Sequence, residues 1–137
     1  MSAIGLARSL AGTERARSVI EDIQRGLFTV GAELATDPTQ YDKLQKHFDV
    51  VTPQATAAIE SRIDEFSAEV NLPPQFVIPG SSHASAALDV ARTVVRRAER
   101  RAVELNEDGL IANPEVLRYL NRISDLLFIL ARYMDKG

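Results

Sequence analysis

The 137-residue chain contains no cysteine, only two histidines, and few aromatics: three tyrosines and five phenylalanines, or 6%. Lacking cysteine, it has no disulfide, no thiolate nucleophile and no cysteine-ligated zinc, and a reducing cytoplasm is the compartment that composition fits. His47 and His83 stand far apart with no ligand pattern around either, so no metal site is expected. No serine sits on a recognisable nucleophile turn. Sparse aromatics, and the lack of a basic block outside one segment, leave little for stacking on nucleic-acid bases. A net charge of −3 is too mild for a general nucleic-acid or membrane binder. No run approaches about 18 apolar residues, so no membrane-spanning helix is expected. Met1-Ser2-Ala3-Ile4-Gly5-Leu6-Ala7 has no basic lead-in, so no signal peptide is expected in it.

What is present is a hydrophobic fraction of 45%, enough for a core, in a length that suits a single domain over 1–137. Nearly all of it is patterned as helix. The first ten residues resemble the end of a helix, stopped at Ala11-Gly12. Thr13 is an N-cap, and Ile20, Ile23, Leu27, Val30 and Leu34 step by three and four to about Ala35, the spacing of one buried stripe. Residues 36–51 connect, with a short helix over Tyr41 to Phe48. Thr52-Pro53 opens a third helix over about 53–70, with Ala57, Ile59, Ile63, Phe66 and Val70 as candidates for burial. Three prolines keep 71–80 extended. Ser81 or Ser82 caps a fourth helix ending near Leu105-Asn106. Asn113-Pro114 starts the last, whose apolar side carries Leu117, Leu120, Leu127, Leu130 and Tyr133. The expectation is all-α: an up-and-down bundle of four long helices plus a shorter first one.

One segment departs from an ordinary solvated helix. From Arg92 to Arg101 there are five arginines, one glutamate and no lysine. At about 100° per residue, Arg92, Arg96 and Glu99 share a face, with Arg97, Arg100 and Arg101 further round and Val94, Val95 and Ala98 on an apolar side. Arginine suits the gripping of phosphate or the pairing of carboxylate. The segment is therefore either an anion site or a face that pairs with acidic groups of a neighbouring subunit. On the last helix, Asn121 and Asp125 lie one turn apart and are expected to bond Arg96 or Arg97, fixing register, shaping a polar site, or both. The loop from Phe76 to Ser82 leads into a helix N-terminus able to receive an anion, or else plugs the core with Phe76. Asp22, Glu33, Glu60 and Asp64 read as solvated helix faces.

Taken together, the run Phe76–Gly80, then Ala86-Ala87-Leu88, Arg92, Arg96-Arg97-Ala98-Glu99-Arg100 and Tyr119-Leu120-Asn121-Arg122-Ile123-Ser124-Asp125 resembles the C-terminal signature of PduO-type ATP:cob(I)alamin adenosyltransferases. Ile23-Gln24, Leu27-Phe28 and Gly31-Ala32-Glu33-Leu34-Ala35 are similar to that family's second helix. The resemblance implies a five-helix bundle, a homotrimer with active sites between subunits, and transfer of the 5′-deoxyadenosyl group of ATP to the cobalt of reduced cobalamin, releasing triphosphate. It further implies that Mg²⁺ rides on the triphosphate. By position, Arg92 would serve the corrinoid side by pairing with an N-terminal aspartate, and Phe76 would cover the lower face of the corrin. Arg96 would contact the triphosphate and Glu99 would orient the nucleotide or its arginines. Arg97, Arg100 and Asn121 would complete the ATP site, with Arg92, Arg96 and Glu99 as the catalytic set. The family begins with a Thr- and Gly-rich phosphate-wrapping segment and an Asp-Glu-Leu-Asn stretch. This chain opens just after the place where that stretch ends, so the expectation is a domain truncated at its N-terminus. A non-catalytic trimeric bundle that binds nucleotide and corrinoid weakly, or serves in assembly, stays open at this level.

Overall fold

Threonine, serine and asparagine precede the four long helices, and the computed structural model, which describes residues 1–71 and 77–135, shows each of them capping. The elements are α1 (Ser2–Leu10), α2 (Glu14–Leu34), a single 3₁₀ turn (Pro38–Gln40), α3 (Tyr41–His47), α4 (Pro53–Ser67), α5 (His83–Glu107) and α6 (Glu115–Asp135). Thr13 accepts from the Ala16 N–H and Thr52 from the Ala55 N–H, with Pro53 at the first position of α4. Ser82 and Ser85 bond reciprocally as a capping box at the start of α5. The Asn113 side-chain Oδ1 accepts from the Glu115 N–H at 3.1 Å. At the far end of α5, Gly109 takes φ +72°, a left-handed value that stops the helix without Cβ strain.

α6 is the axis of the bundle. It packs chiefly on α5 and α4 and touches α2, while α1 packs on α5 and α2. Its buried residues, from Val116 through Leu120, Ile123, Leu126, Leu127 and Leu130, meet Ile4 of α1, Ile20 and Ile23 of α2, Phe66 of α4 and Leu88 of α5 in one core. Full burial of each such side chain contributes about 1.5–3 kcal/mol. Close approach is needed at one glycine: a Cβ on Gly26 of α2 would overlap the Tyr119 hydroxyl of α6. Tyr119 is itself buried, which, together with Asp22, raises its pKa.

The helical expectations hold with small shifts. α4 ends at Ser67 rather than near 70, and Ala57 is exposed where burial was expected. The inward stripe of α4 runs through Thr56, Ile59 and Phe66, which turns residue 57 about 100° away from it. Thr56 can be buried because its hydroxyl donates to the Glu115 carboxylate at 2.6 Å. Hydrogen bonds from Arg118 and then Thr56 hold that carboxyl below the ordinary range.

Glu33 was expected on a solvated face and is instead buried. Its carboxylate accepts from the Val51 N–H at 2.7 Å and from the Asn113 side-chain amide at 3.1 Å, and that same amide donates to the Val51 carbonyl at 2.8 Å. Burial, followed by its bond to Glu33, pushes Tyr41 up to about 12. The cluster ties the end of α2 to the strand-like connection before α4 and to the start of α6. A buried carboxylate is tolerated there because several donors converge on it.

Candidate functional site

α5 and α6 run antiparallel, and three cross-contacts set their register. The Arg132 guanidinium lies 2.7 Å from Asp89, Arg92 stacks over the Phe128 ring at 5.3 Å, and the Asn121 amide donates to Glu99 at 3.0 Å. The face that held the sequence motif is thus a ladder of polar rungs along the α5–α6 groove.

The arginines divide along that ladder. Val95 is buried against α6, which turns Arg96 and Arg97 about 100° and 200° away from the contact. Arg96, Arg97 and Arg100 are exposed, and among the described residues none of the three makes an ion pair. Val94 and Ala98, expected on the apolar side with Val95, are exposed too. Arg101 is taken by Glu104 at 3.4 Å, one turn along its own helix.

The expected bonds from Asn121 and Asp125 to Arg96 or Arg97 do not form. Asn121 bonds Glu99, and Asp125 accepts from Arg122 at 3.1 Å. Arg122 is the local competitor: it lies three residues before Asp125 on the same helix face and also reaches toward Glu60 at 3.9 Å. Arg92 and Asp125 nevertheless line one cavity of about 280 Å³ with Ile63, Phe128 and Ile129. A second cavity of about 270 Å³ lies beside Asn121, between Thr56 and Glu60 of α4 and Leu117, Arg118 and Arg122 of α6. The structure therefore joins Glu99 and Asn121 across α5 and α6, places Arg92 about two turns away on the Phe128 ring beside a different cavity, and leaves Arg96 exposed. Phe76, the expected corrin-covering residue, lies outside the described residues.

The N-terminus of α5, read as a possible anion receptor, is occupied by its own capping box, with the Ser85 N–H donating to Ser82 at 3.1 Å. What sequence reasoning missed is the aromatic and acidic support of the ladder: Phe128, Arg132, Asp89 and Asp135. Arg132 is buried, and its Nε donates to Asp135 at 2.9 Å. The available signal was the spacing of Asp125, Phe128 and Arg132, which puts all three on one side of a helix.

The family model described as cobalamin adenosyltransferase matches residues 1–134. The chain is 38% identical over 134 residues to the corrinoid adenosyltransferase PduO of Salmonella typhimurium, covering 98% of this chain and 39% of the relative. With the corrinoid adenosyltransferase of Mycobacterium leprae it shares 40% identity, covering 99% of this chain and 73% of that one. Among solved structures it resembles a phenylalanine-to-alanine variant of the PduO-type ATP:corrinoid adenosyltransferase from Lactobacillus reuteri, complexed with cobalamin and ATP. The TM-score is 0.86 at 36% identity, over 98% of this chain and 74% of that one. An arginine-to-lysine variant of the same enzyme, complexed with ATP, gives 0.85 at 35% identity over 98% of this chain and 74% of that one. The chain thus spans about two-fifths of the Salmonella relative's length and 61% of that of the Bacillus subtilis relative.

Proposed function

This chain belongs to the cobalamin adenosyltransferase family, and from that premise we propose that it transfers the 5′-deoxyadenosyl group of ATP to the cobalt of a reduced corrinoid. In this reaction cobalt(I) attacks the 5′ carbon, the bond from that carbon to the triphosphate oxygen breaks, and triphosphate leaves. The nucleophile belongs to the substrate, so the protein's tasks are positioning and charge stabilisation.

The observation that carries the proposal is the trio of exposed, unpaired guanidinium groups, Arg96, Arg97 and Arg100, beside the Glu99–Asn121 pair. Planar cations with no ion-pair partner among the described residues suit a leaving group that gains negative charge as it departs. Arg96 contacts the triphosphate, Arg97 and Arg100 extend that cationic face, and Glu99 holds the Asn121 amide nitrogen so that its carbonyl oxygen is left for the nucleotide. Arg92 serves the corrinoid side, as does Phe76. Magnesium is carried by the triphosphate. Among the described residues no group of three or more histidines or carboxylates is placed to cage a metal ion, and Mg²⁺ rarely needs such a cage.

The assembly we propose is a homotrimer with each site completed by a neighbouring subunit. In support, Leu6 and Leu10, one turn apart on α1, and Val90 and Val94, one turn apart on α5, are exposed aliphatics on helices that pack together. Light scattering with size exclusion tests this, and a monomer at working concentration would overturn it. A cytoplasmic setting fits the lack of cysteine, and among the described residues no helix is long and apolar enough to cross a membrane.

The direct test is an anaerobic spectrum of the protein with ATP, Mg²⁺ and chemically reduced cobalamin, following the loss of the cobalt(I) band. Formation of adenosylcobalamin supports the proposal. A chain that binds both ligands without turnover would favour the non-catalytic bundle.

A further inference from the structure

Helix α4 is attached to the bundle unevenly. Among the described residues it packs closely on α6 and on no other helix, so side chains set its position relative to α2 and α5. On one face, Ile63 lines the cavity of about 280 Å³ that it shares with Arg92 of α5 and with Asp125, Phe128 and Ile129 of α6. At about 100° per residue, Arg62, Glu65 and Glu69 fall about 200° to 260° round from Ile63, on the side turned away from that cavity. All three reach α2. Arg62 lies 3.8 Å from Asp22, and Arg15 lies 2.8 Å from Glu65 and 2.6 Å from Glu69. The Arg15 guanidinium also stacks on Phe66 of α4, 4.2 Å from the ring centroid, and stands 5.6 Å from that of Tyr133 of α6. The two rings meet edge to face at 5.0 Å. One side chain of α2 thus joins two carboxylates and an aromatic pair, spanning three helices.

We propose that Arg15 is a positioning residue for the corrinoid side of the reaction: from the face of α4 opposite the cavity it staples α4 to α2, and so fixes how far the Ile63 wall stands from α5 and α6. The inference rests on the reading that puts Arg92, and with it this cavity, on the corrinoid side. Arg15, Glu65 and Glu69 are 35%, 43% and 40% exposed, so water screens their pairing and it adds little to global stability. What the pairing removes is freedom. A planar fork shared by two carboxylates one turn apart, with its face on the buried Phe66 ring, allows far fewer placements than a single exposed ion pair. Without the guanidinium, Glu65 and Glu69 are like charges four residues apart and repel. Only the longer Arg62–Asp22 contact would then hold α4 toward α2. Helix α4 would be free to tilt on α6, and a rigid ligand would have to order the wall as it bound, at a cost in affinity.

The experiment uses the full chain with Arg15→Met, Arg15→Lys, the Glu65→Gln/Glu69→Gln pair, that pair combined with Arg15→Met, and Ile63→Trp. Affinities for cob(II)alamin and for ATP are measured separately, and hydrogen exchange by mass spectrometry follows α4. Arg15→Met keeps an apolar stem over Phe66 and removes the charge. It is expected to weaken cob(II)alamin binding about threefold to tenfold with ATP affinity unchanged. Amides of residues 60–70 should exchange about tenfold faster while those of α6 hold. The urea midpoint should move no more than it does for a surface substitution. Arg15→Lys should recover part of the affinity, and Arg15→Met should add nothing to the loss already caused by Glu65→Gln/Glu69→Gln. Equal weakening of both ligands, or losses that add, would make Arg15 a packing residue and overturn the proposal. Ile63→Trp tests the cavity itself: filling it should block cob(II)alamin and spare ATP. If it does so while Arg15→Met binds cob(II)alamin as the native chain does, the proposal is overturned. If Ile63→Trp leaves cob(II)alamin affinity intact, the assignment of the cavity is what fails. The staple is then decided by exchange alone, and unmoved α4 amides in Arg15→Met overturn it.

Discussion

Two polar clusters in this bundle end in opposite states. Around Glu33, a carboxylate, an asparagine, a tyrosine and a backbone N–H close on one another inside the chain. Along α5, Arg96, Arg97 and Arg100 stay exposed with no internal ion pair among the described residues. The difference follows from burial. A polar group removed from water must find its partners within the fold, and those partners then contribute to stability. An exposed cation has water and need not be paired, and Arg96 and Arg100, one turn apart, even repel slightly. Internal closure thus marks groups that hold the fold, whereas the open arginines are free for an anion from outside.

That contrast can be broken at either end. The largest effect is expected at Arg96→Ala, which should slow adenosyl transfer by about 100-fold or more, as loss of a charge-stabilising donor does. Its denaturation midpoint should hardly move, since exposed substitutions stay within about 0.5 kcal/mol. An unchanged transfer rate would sink the role given to Arg96.

Glu33→Ala should do the reverse. It leaves the Val51 N–H and the Asn113 amide short of an acceptor and is expected to cost about 2–4 kcal/mol in urea unfolding. A loss no larger than that of a surface substitution would show that the cluster is not closed in solution. Gly26→Ala belongs on the same side of the comparison, costing about 1–3 kcal/mol through overlap with Tyr119. Partial recovery in the Gly26→Ala/Tyr119→Phe pair would localise that strain.

The smallest effect is a titration. Tyr41 should ionise near 12 rather than at its ordinary 10.0, followed by its near-ultraviolet absorbance, and Glu33→Gln should bring it down. Because the folded chain holds this proton more tightly than the unfolded one, the associated stability is complete below pH 10 and is lost as pH rises from 10 toward 12. Ionisation of Tyr41 at its ordinary value would argue that water reaches the cluster.

Much of the fold was legible from spacing alone. The stripe Ile20, Ile23 and Val30 is buried as expected, and Thr13, Thr52 and Ser82 cap the helices they precede. These features depend on neighbours within one or two turns. The polar residues that meet between the helices were legible only in part. Asn121 bonds Glu99 rather than Arg96 or Arg97, Asp125 bonds Arg122, and Glu33 is interior. In each case two or more partners lay within reach, and helical spacing does not rank them.

Sequence by itself determined where helices begin, roughly where they end, most of the apolar stripe of α2 and α6, and that one helix is rich in arginine. These are consequences of bonds and steric preferences acting over three or four residues. Only the tertiary structure decided which charges are closed and which stay open. Glu33 meets a backbone group 18 residues away and an amide 80 residues away, and Phe128 ends beneath two arginines from different helices. Such pairings turn on helix register and on differences of a few ångströms in side-chain reach, which arise only when the helices pack.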